Sequence, residues 1–257
     1  MRWVRIHSLV LAGEMMRMAG VNKRDDRHRD RPRGAIMSLW ISFVASLAVV
    51  AMIPTVGWPQ AATQDSLIQL PIPVHLMHSA ESVALTTSWT EQDVTALLAI
   101  ANLTWRQAGI EWTLESIVEA EARNGAAFDS MLARRMPATG EKQRSIIPRD
   151  SLLEPAWNLF LIRNYGRIAG GVFWPELPAL VLAEQGMGVD LGPSGRGGRT
   201  LAHELGHSLG LDHEECVPAS PNVMATGCWR PGLDHMLTAA QIRRARVQAQ
   251  TGRPVNR

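Results

Sequence analysis

The sequence predicts a mixed α/β domain, α+β in organisation and split by a cleft. Three observations carry this reading. Short apolar runs are separated by one long amphipathic helix in the first half of residues 63–257. A glycine-rich turn then leads into a second helix bearing titratable side chains on one face, and an irregular turn segment followed by a terminal helix closes the chain. No internal repeat or long low-complexity tract breaks this order, so residues 63–257 read as one domain.

The first strand is expected at about 70–77, LPIPVHLM, with two prolines marking an edge-like start because proline cannot donate to a ladder. Thr90 and Asp93 open an acidic first turn, after which Val94, Leu97, Leu98, Ala101, Leu103, Trp105 and Ala108 recur at helical spacing until Gly109. That makes an amphipathic helix of about five turns. Residues 110–118, IEWTLESIV, alternate apolar and polar side chains and form a strand directly after it. Residues 119–150 are polar, with glycine, proline and several arginines, and read as loop with one helical turn near Ser130–Arg135.

NLFLI, residues 158–162, is a short buried strand; the turn-rich GGVFWPEL follows, and Pro178–Ala183 is a further apolar run, expected at the sheet edge. GPSGRGGR, residues 192–199, lacks the Gly-Lys-Ser/Thr ending of a phosphate cradle and the dinucleotide spacing, so it reads as a flexible lead-in to TLAHELGHSLGL. The last helix is expected from about Thr238 through Gln250.

Charge is distributed unevenly. Residues 1–62 hold 9 Lys/Arg against 4 Asp/Glu, whereas residues 63–257 hold 17 against 20. The predicted domain is therefore slightly acidic and has no Lys/Arg cluster interleaved with aromatics, which argues against a nucleic-acid partner. Residues 35–53, AIMSLWISFVASLAVVAMI, carry no charge and end at Pro54. They are the one stretch long enough to enter a bilayer, and the basic run before them stays on the cytoplasmic side. The expected organisation is a charged leader at 1–34, a signal sequence or membrane anchor at 35–62 and the domain at 63–257. A cleaved signal, a retained anchor and a downstream start such as Met37 all suit these residues. Each places the domain outside the cytoplasm: periplasmic, secreted or anchored.

Two cysteines occur, Cys216 and Cys228, both in the exported part. In an oxidising compartment this spacing favours a disulfide over a pair of buried thiols, and no Cys-x-x-Cys marks a zinc ribbon or a redox site.

The chemistry lies in residues 203–213. On a helix, positions four apart share a face, so His203 and His207 can present two imidazole nitrogens to one ion. His213 lies six positions further on, about 240° round a continuing helix, so the helix must end first. Gly210 is where it should end, because glycine takes the left-handed conformation without strain. His213 then supplies a third ligand, leaving a tetrahedral position for water; Asp212 beside it is a less well placed oxygen donor. Glu204 adjoins the first ligand and projects beside the ion, as a proton acceptor for that water. His75, His78 and His235 lack partners at ligand spacing and read as surface or strand residues.

HELGHSLGLDH, residues 203–213, matches in full the HExxHxxGxxH signature and so resembles the metzincin zinc metallopeptidases. Five fixed residues match a given window by chance with a probability on the order of 10⁻⁷. PNVMATG, residues 221–227, puts Met224 where that family has its methionine turn. The resemblance implies one catalytic Zn²⁺ held by His203, His207 and His213, Glu204 as general base, and Met224 as a hydrophobic floor that does not ligate. It also implies a twisted mixed sheet whose edge strand aligns an extended peptide, with a small C-terminal subdomain ending in a helix. Thr226 stands where astacins and serralysins have tyrosine, so no tyrosine ligand is implied, and Glu214 after the third histidine is astacin-like; these residues do not assign a subfamily. A disulfide between Cys216 and Cys228 would pin the loop beneath the metal. Among the tryptophans, Trp174 is the one expected near substrate.

The function expected is zinc-dependent hydrolysis of protein or peptide substrates. A catalytically silent zinc-binding module that recognises a protein partner is the alternative, and Glu204 discriminates, since binding alone has no use for a carboxylate beside the water. Side-chain preference and oligomeric state are not legible in the sequence.

Overall fold

A parallel strand must be followed by a crossover before the next can pair with it, and the long amphipathic helix supplies that crossover. In the computed structural model, which describes residues 67–134, 141–167, 169–215, 222–226 and 236–256, β1 (Ile68–His78) leads through α1 (Glu91–Trp105) to β2 (Ile110–Glu121), and β1 and β2 pair in parallel. Then come α2 (Gly125–Ala133), α3 (Glu141–Arg144), β3 (Asn158–Asn164), β4 (Gly171–Trp174), β5 (Ala179–Gly186), β6 (Val189–Asp190), α4 (Gly198–Ser208) and α5 (Ala239–Ala249). The result is a mixed α/β fold with a six-stranded sheet in the order β2-β1-β3-β5-β4, with β6 pairing β5. β1, β2, β3 and β5 run parallel; β4 and β6 run antiparallel to β5. All described residues belong to one compact unit, Val56–Arg257. Among them no helix is long and apolar enough to cross a membrane. The leader and residues 35–53 lie outside the described residues.

β1 is an interior strand rather than an edge. Its prolines are tolerated because β3 pairs only with Val74–Leu76, beyond Pro71 and Pro73. The register against β2 slips between Ile72 and Pro73, so Glu115 is an extra residue, and the apolar phase of β2 shifts from Leu114 to Ile117. Thr90 and Asp93 open α1 as expected, and the structure adds a reciprocal capping pair between them. Val94, Leu97, Leu98, Ala101 and Trp105 are buried, whereas Leu103 faces solvent at 55% exposure. The helix gives way to a tighter turn at Arg106–Ala108 and stops at Gly109, whose φ is 62°. Asn102 donates to the Trp112 carbonyl and accepts from the Trp112 N–H, both at 2.9 Å, and so ties α1 to β2.

Alternation sends side chains to two cores. Ile72, Val74, Leu159, Leu161, Leu180 and Leu182 pack with α1 and α4, while Met77, Phe160, Ile162, Val181 and Ala183 pack with Phe128 and Met131 of α2. Most of the region expected as loop is thus organised: β2 continues to Glu121 and α2 seals the second face. GGVFWPEL also differs from expectation. It holds β4, a four-residue strand antiparallel to β5, and this strand forms the sheet edge in place of 178–183. The glycine run before α4 is a packing device rather than a flexible lead-in: a β-carbon on Gly198 would lie 2.4 Å from Cβ of Ile100. Only glycine lets α4 begin this close to α1.

Candidate metal centre

α4 turns Leu201, Ala202, Leu205 and Ser208 into the core and leaves His203 and His207 facing the cleft. Gly210 has a φ of 82°; its N–H donates to the His207 carbonyl and the Leu211 N–H donates to the Gly206 carbonyl, at 2.9 Å each. This is the paired C-terminal motif that a left-handed glycine allows, and it ends the helix where expected. The chain then doubles back and brings His213 to the same point.

The three Nε2 atoms converge. His207 Nε2 lies 3.1 Å from His203 Nε2 and 3.0 Å from His213 Nε2. His203 Nδ1 donates to the Val223 carbonyl at 2.8 Å and His207 Nδ1 to the Leu211 carbonyl at 2.9 Å. Those bonds fix the tautomers, so both Nε2 atoms point inward as acceptors. Burial holds His203 down to about 4, with the Val223 hydrogen bond opposing and the other two imidazoles and Arg199 adding to the depression. It is therefore neutral near pH 7, as a ligand must be. Facing lone pairs at this spacing repel unless a cation lies between them. The spacing suits a metal: a tetrahedral nitrogen site with bonds of about 2.05 Å sets neighbouring nitrogens about 3.3 Å apart. The triad could hold a metal ion.

Glu204 projects from α4 toward β4 and is 8% exposed. Its carboxyl accepts a hydrogen bond from the Phe173 N–H, while burial raises its pKa to about 8. A β-carbon on Gly171 would lie 2.9 Å from Glu204 Cγ, so glycine is what allows this wall of the cleft to close on the carboxyl.

Met224 is fully buried beside α4, where Gly206 makes room: a β-carbon there would meet Met224 Sδ at 2.4 Å. Its turn is anchored by side chains that carried no signal in the sequence. Asn222 Oδ1 accepts from the Met224 N–H at 2.8 Å, and Asn222 Nδ2 donates to Gln241 Oε1 at 2.8 Å. Gln241 Nε2 in turn donates to Glu214 Oε1 at 3.2 Å, and the Glu214 N–H donates to the Met224 carbonyl at 3.0 Å.

The triad opens on a cleft of about 790 Å³ between β4 and α4, lined among others by Gly170, Gly171, Phe173, Arg199, Thr200 and Thr226. Trp174 is not in it. Alternation along β4 sends Trp174 to the second core, 5% exposed, and leaves Phe173 and Pro175 in the cleft wall. Asp212 pairs with Arg244 at 2.8 Å instead of joining the triad. His75 is buried, His78 is exposed at the end of β1, and His235, Cys216 and Cys228 lie outside the described residues.

No family model matches the chain, and no curated protein matches it. Among solved structures, one described as "Structure of a chaperone-substrate complex" is similar over 72% of this chain, at 15% identity and a TM-score of 0.41. The chain spans 38% of the length of that structure's chain.

Proposed function

We propose that the protein is a zinc-dependent endopeptidase of metzincin type. The observation that carries the reading is the Glu204 carboxyl, buried in the cleft wall beside three converging imidazoles and held by the Phe173 N–H. A module that only binds metal has no use for it. The all-nitrogen donor set suits zinc with a fourth position for water, and Met224 and the Gly210 turn agree with the family signature.

Bound zinc would polarise the scissile carbonyl and lower the pKa of water toward neutrality. Glu204 takes a proton from the attacking water and returns one to the leaving amine, so the amide bond breaks and the water is divided between the new carboxyl and amine. A cation held at the triad would favour the ionised form of Glu204, which accepts the proton, against the burial that raises its pKa. β4 is a sheet edge beside the triad, and an extended peptide laid along it would bring its backbone carbonyl to Glu204 and the histidines. Export through residues 35–53 completes the reading; cell fractionation of tagged protein checks it.

The test is metal content and casein or peptide-library hydrolysis of the purified protein beside Glu204→Ala. One zinc per chain, with cleavage lost in the variant, is the expected result. Zinc without cleavage favours the binding module, and absence of zinc binding overturns the site.

A further inference from the structure

β5 and β6 form a hairpin in which Gly186 pairs with Val189, so Met187 and Gly188 are its two-residue tip. Both have positive φ, 53° and 78°. This turn matches the twist of the strands and favours asparagine or aspartate before the glycine, because a bulkier side chain strains the left-handed conformation. Besides glycines, two described residues have positive φ: Asn124, whose side chain suits it, and Met187. Burial does not offset the strain at Met187, which is 57% exposed. A large apolar side chain held exposed on a strained turn points to contact with another molecule.

The hairpin fixes that side chain at the cleft. The Tyr165 N–H donates to the Gln185 carbonyl at 2.9 Å, the Gly188 N–H to the Gly166 carbonyl at 3.2 Å and the Leu191 N–H to the Glu184 carbonyl at 2.8 Å. Gly186 lies so close to the Ala169 carbonyl that a β-carbon there has no room. Met187 lines the cleft with Ala169, Gly170 and Thr200. A β-carbon on Gly170 would lie 3.5 Å from Met187 Cε and 3.3 Å from Thr200 Cγ2. One on Gly171, the next residue, would lie 3.2 Å from the same Thr200 methyl and 2.9 Å from Glu204 Cγ. The Thr200 methyl thus bridges the short gap between the Met187 thioether and the Glu204 side chain. An extended chain rises about 3.3 Å per residue, so a substrate side chain that reaches Met187 belongs to a residue within about two of the cleaved bond.

We propose that Met187 is the wall of an apolar subsite, and that the substrates are peptides with a large aliphatic or aromatic side chain within about two residues of the cleaved bond. The proposal rests on the peptidase reading and adds to it the feature that selects substrate. Methionine suits this role: its unbranched thioether adapts to side chains of different shape and makes favourable contacts with aromatic rings. Alanine at the same substrate position leaves the thioether in water, and a charged residue loses hydration against it.

The experiment uses the full-length zinc-loaded protein and a positional peptide library, followed by matched peptides with Leu, Phe, Ala, Asp or Lys at the position the library selects. Wild type is expected to favour Leu or Phe over Ala there by about tenfold or more in kcat/KM. Met187→Leu should keep most of that ratio, and Met187→Asp should turn the preference toward Lys. Met187→Asn supplies the residue this turn favours, so it should bring the ratio close to one with no loss of thermal stability. A purely structural methionine does not produce that combination. Glu204-dependent cleavage with no apolar preference within two residues of the bond, selection of a charged residue there, or a ratio unchanged in Met187→Asn and Met187→Asp overturns the subsite and leaves the peptidase reading standing. Absence of cleavage by zinc-loaded wild type overturns both.

Discussion

A β-carbon on Gly206 would sit 2.4 Å from the sulfur of Met224, so the glycine between the two helical histidines is what lets the methionine lie against α4. Met224 is fully buried and has little room to retreat. Gly206→Ala is expected to push Met224 and its turn away from α4, costing about 1–3 kcal/mol of stability. The Val223 carbonyl that orients His203 moves with the turn, so metal affinity should fall as well. Chemical denaturation and calorimetric metal titration check both effects; unchanged affinity with lowered stability would confine Met224 to packing.

Glu204→Gln preserves the shape of the side chain and an oxygen to accept from Phe173, and removes the proton acceptor. Turnover is expected to fall by about 10² or more with metal content unchanged. Peptide hydrolysis measured beside metal analysis separates loss of chemistry from loss of the ion.

The amide lattice beneath the triad predicts a different pattern. Asn222 is 5% exposed and bonds both the Met224 N–H and Gln241. Asn222→Ala leaves those groups unsatisfied and is expected to cost about 1–3 kcal/mol. Metal affinity should weaken with it, because Val223 lies between Asn222 and Met224. Denaturant titration with and without metal reads the two together: the stabilisation conferred by metal should be smaller in the variant.

Acid sensitivity is expected from His75, outside the cleft. Its Nε2 lies 3.2 Å from Asn158 Oδ1 and its ring stacks on Phe160 at 4.2 Å. Burial lowers its pKa below 6.5, with the Asn158 hydrogen bond opposing. The unfolded chain therefore takes up a proton at higher pH than the folded one. Stability is fully present above the unfolded pKa and is lost as pH falls below it. Between about pH 7.5 and pH 5, His75→Leu should flatten the decline in unfolding free energy by up to about 2 kcal/mol. Equal declines in both proteins would assign the acid sensitivity elsewhere.

Much of this was legible in the chain because it depends on local spacing. The capping pair at Thr90 and Asp93, the period of α1, the i, i+4 histidines and the stop at Gly210 are each determined by neighbours within two helical turns. α2 and β4 were not legible. α2 is short and sits in an otherwise polar stretch, and its Phe128 and Met131 acquire meaning only against Met77 and Phe160 on the far face of the sheet. β4 is four residues flanked by glycine and proline, and it is a strand because β5 pairs with it.

By itself, the sequence determined which atoms could meet a metal, since helical periodicity and one left-handed glycine suffice to gather His203, His207 and His213. Tertiary structure decided what surrounds them. Glu204 faces an N–H because β4 runs beside α4, Trp174 leaves the cleft because of its phase in that strand, and Gly171, Gly198 and Gly206 are required by neighbours distant in sequence. The physical reason is the range of the forces involved. Periodicity and capping act along the chain over a few residues, whereas burial, close packing and strand pairing act only between segments that folding has already brought together.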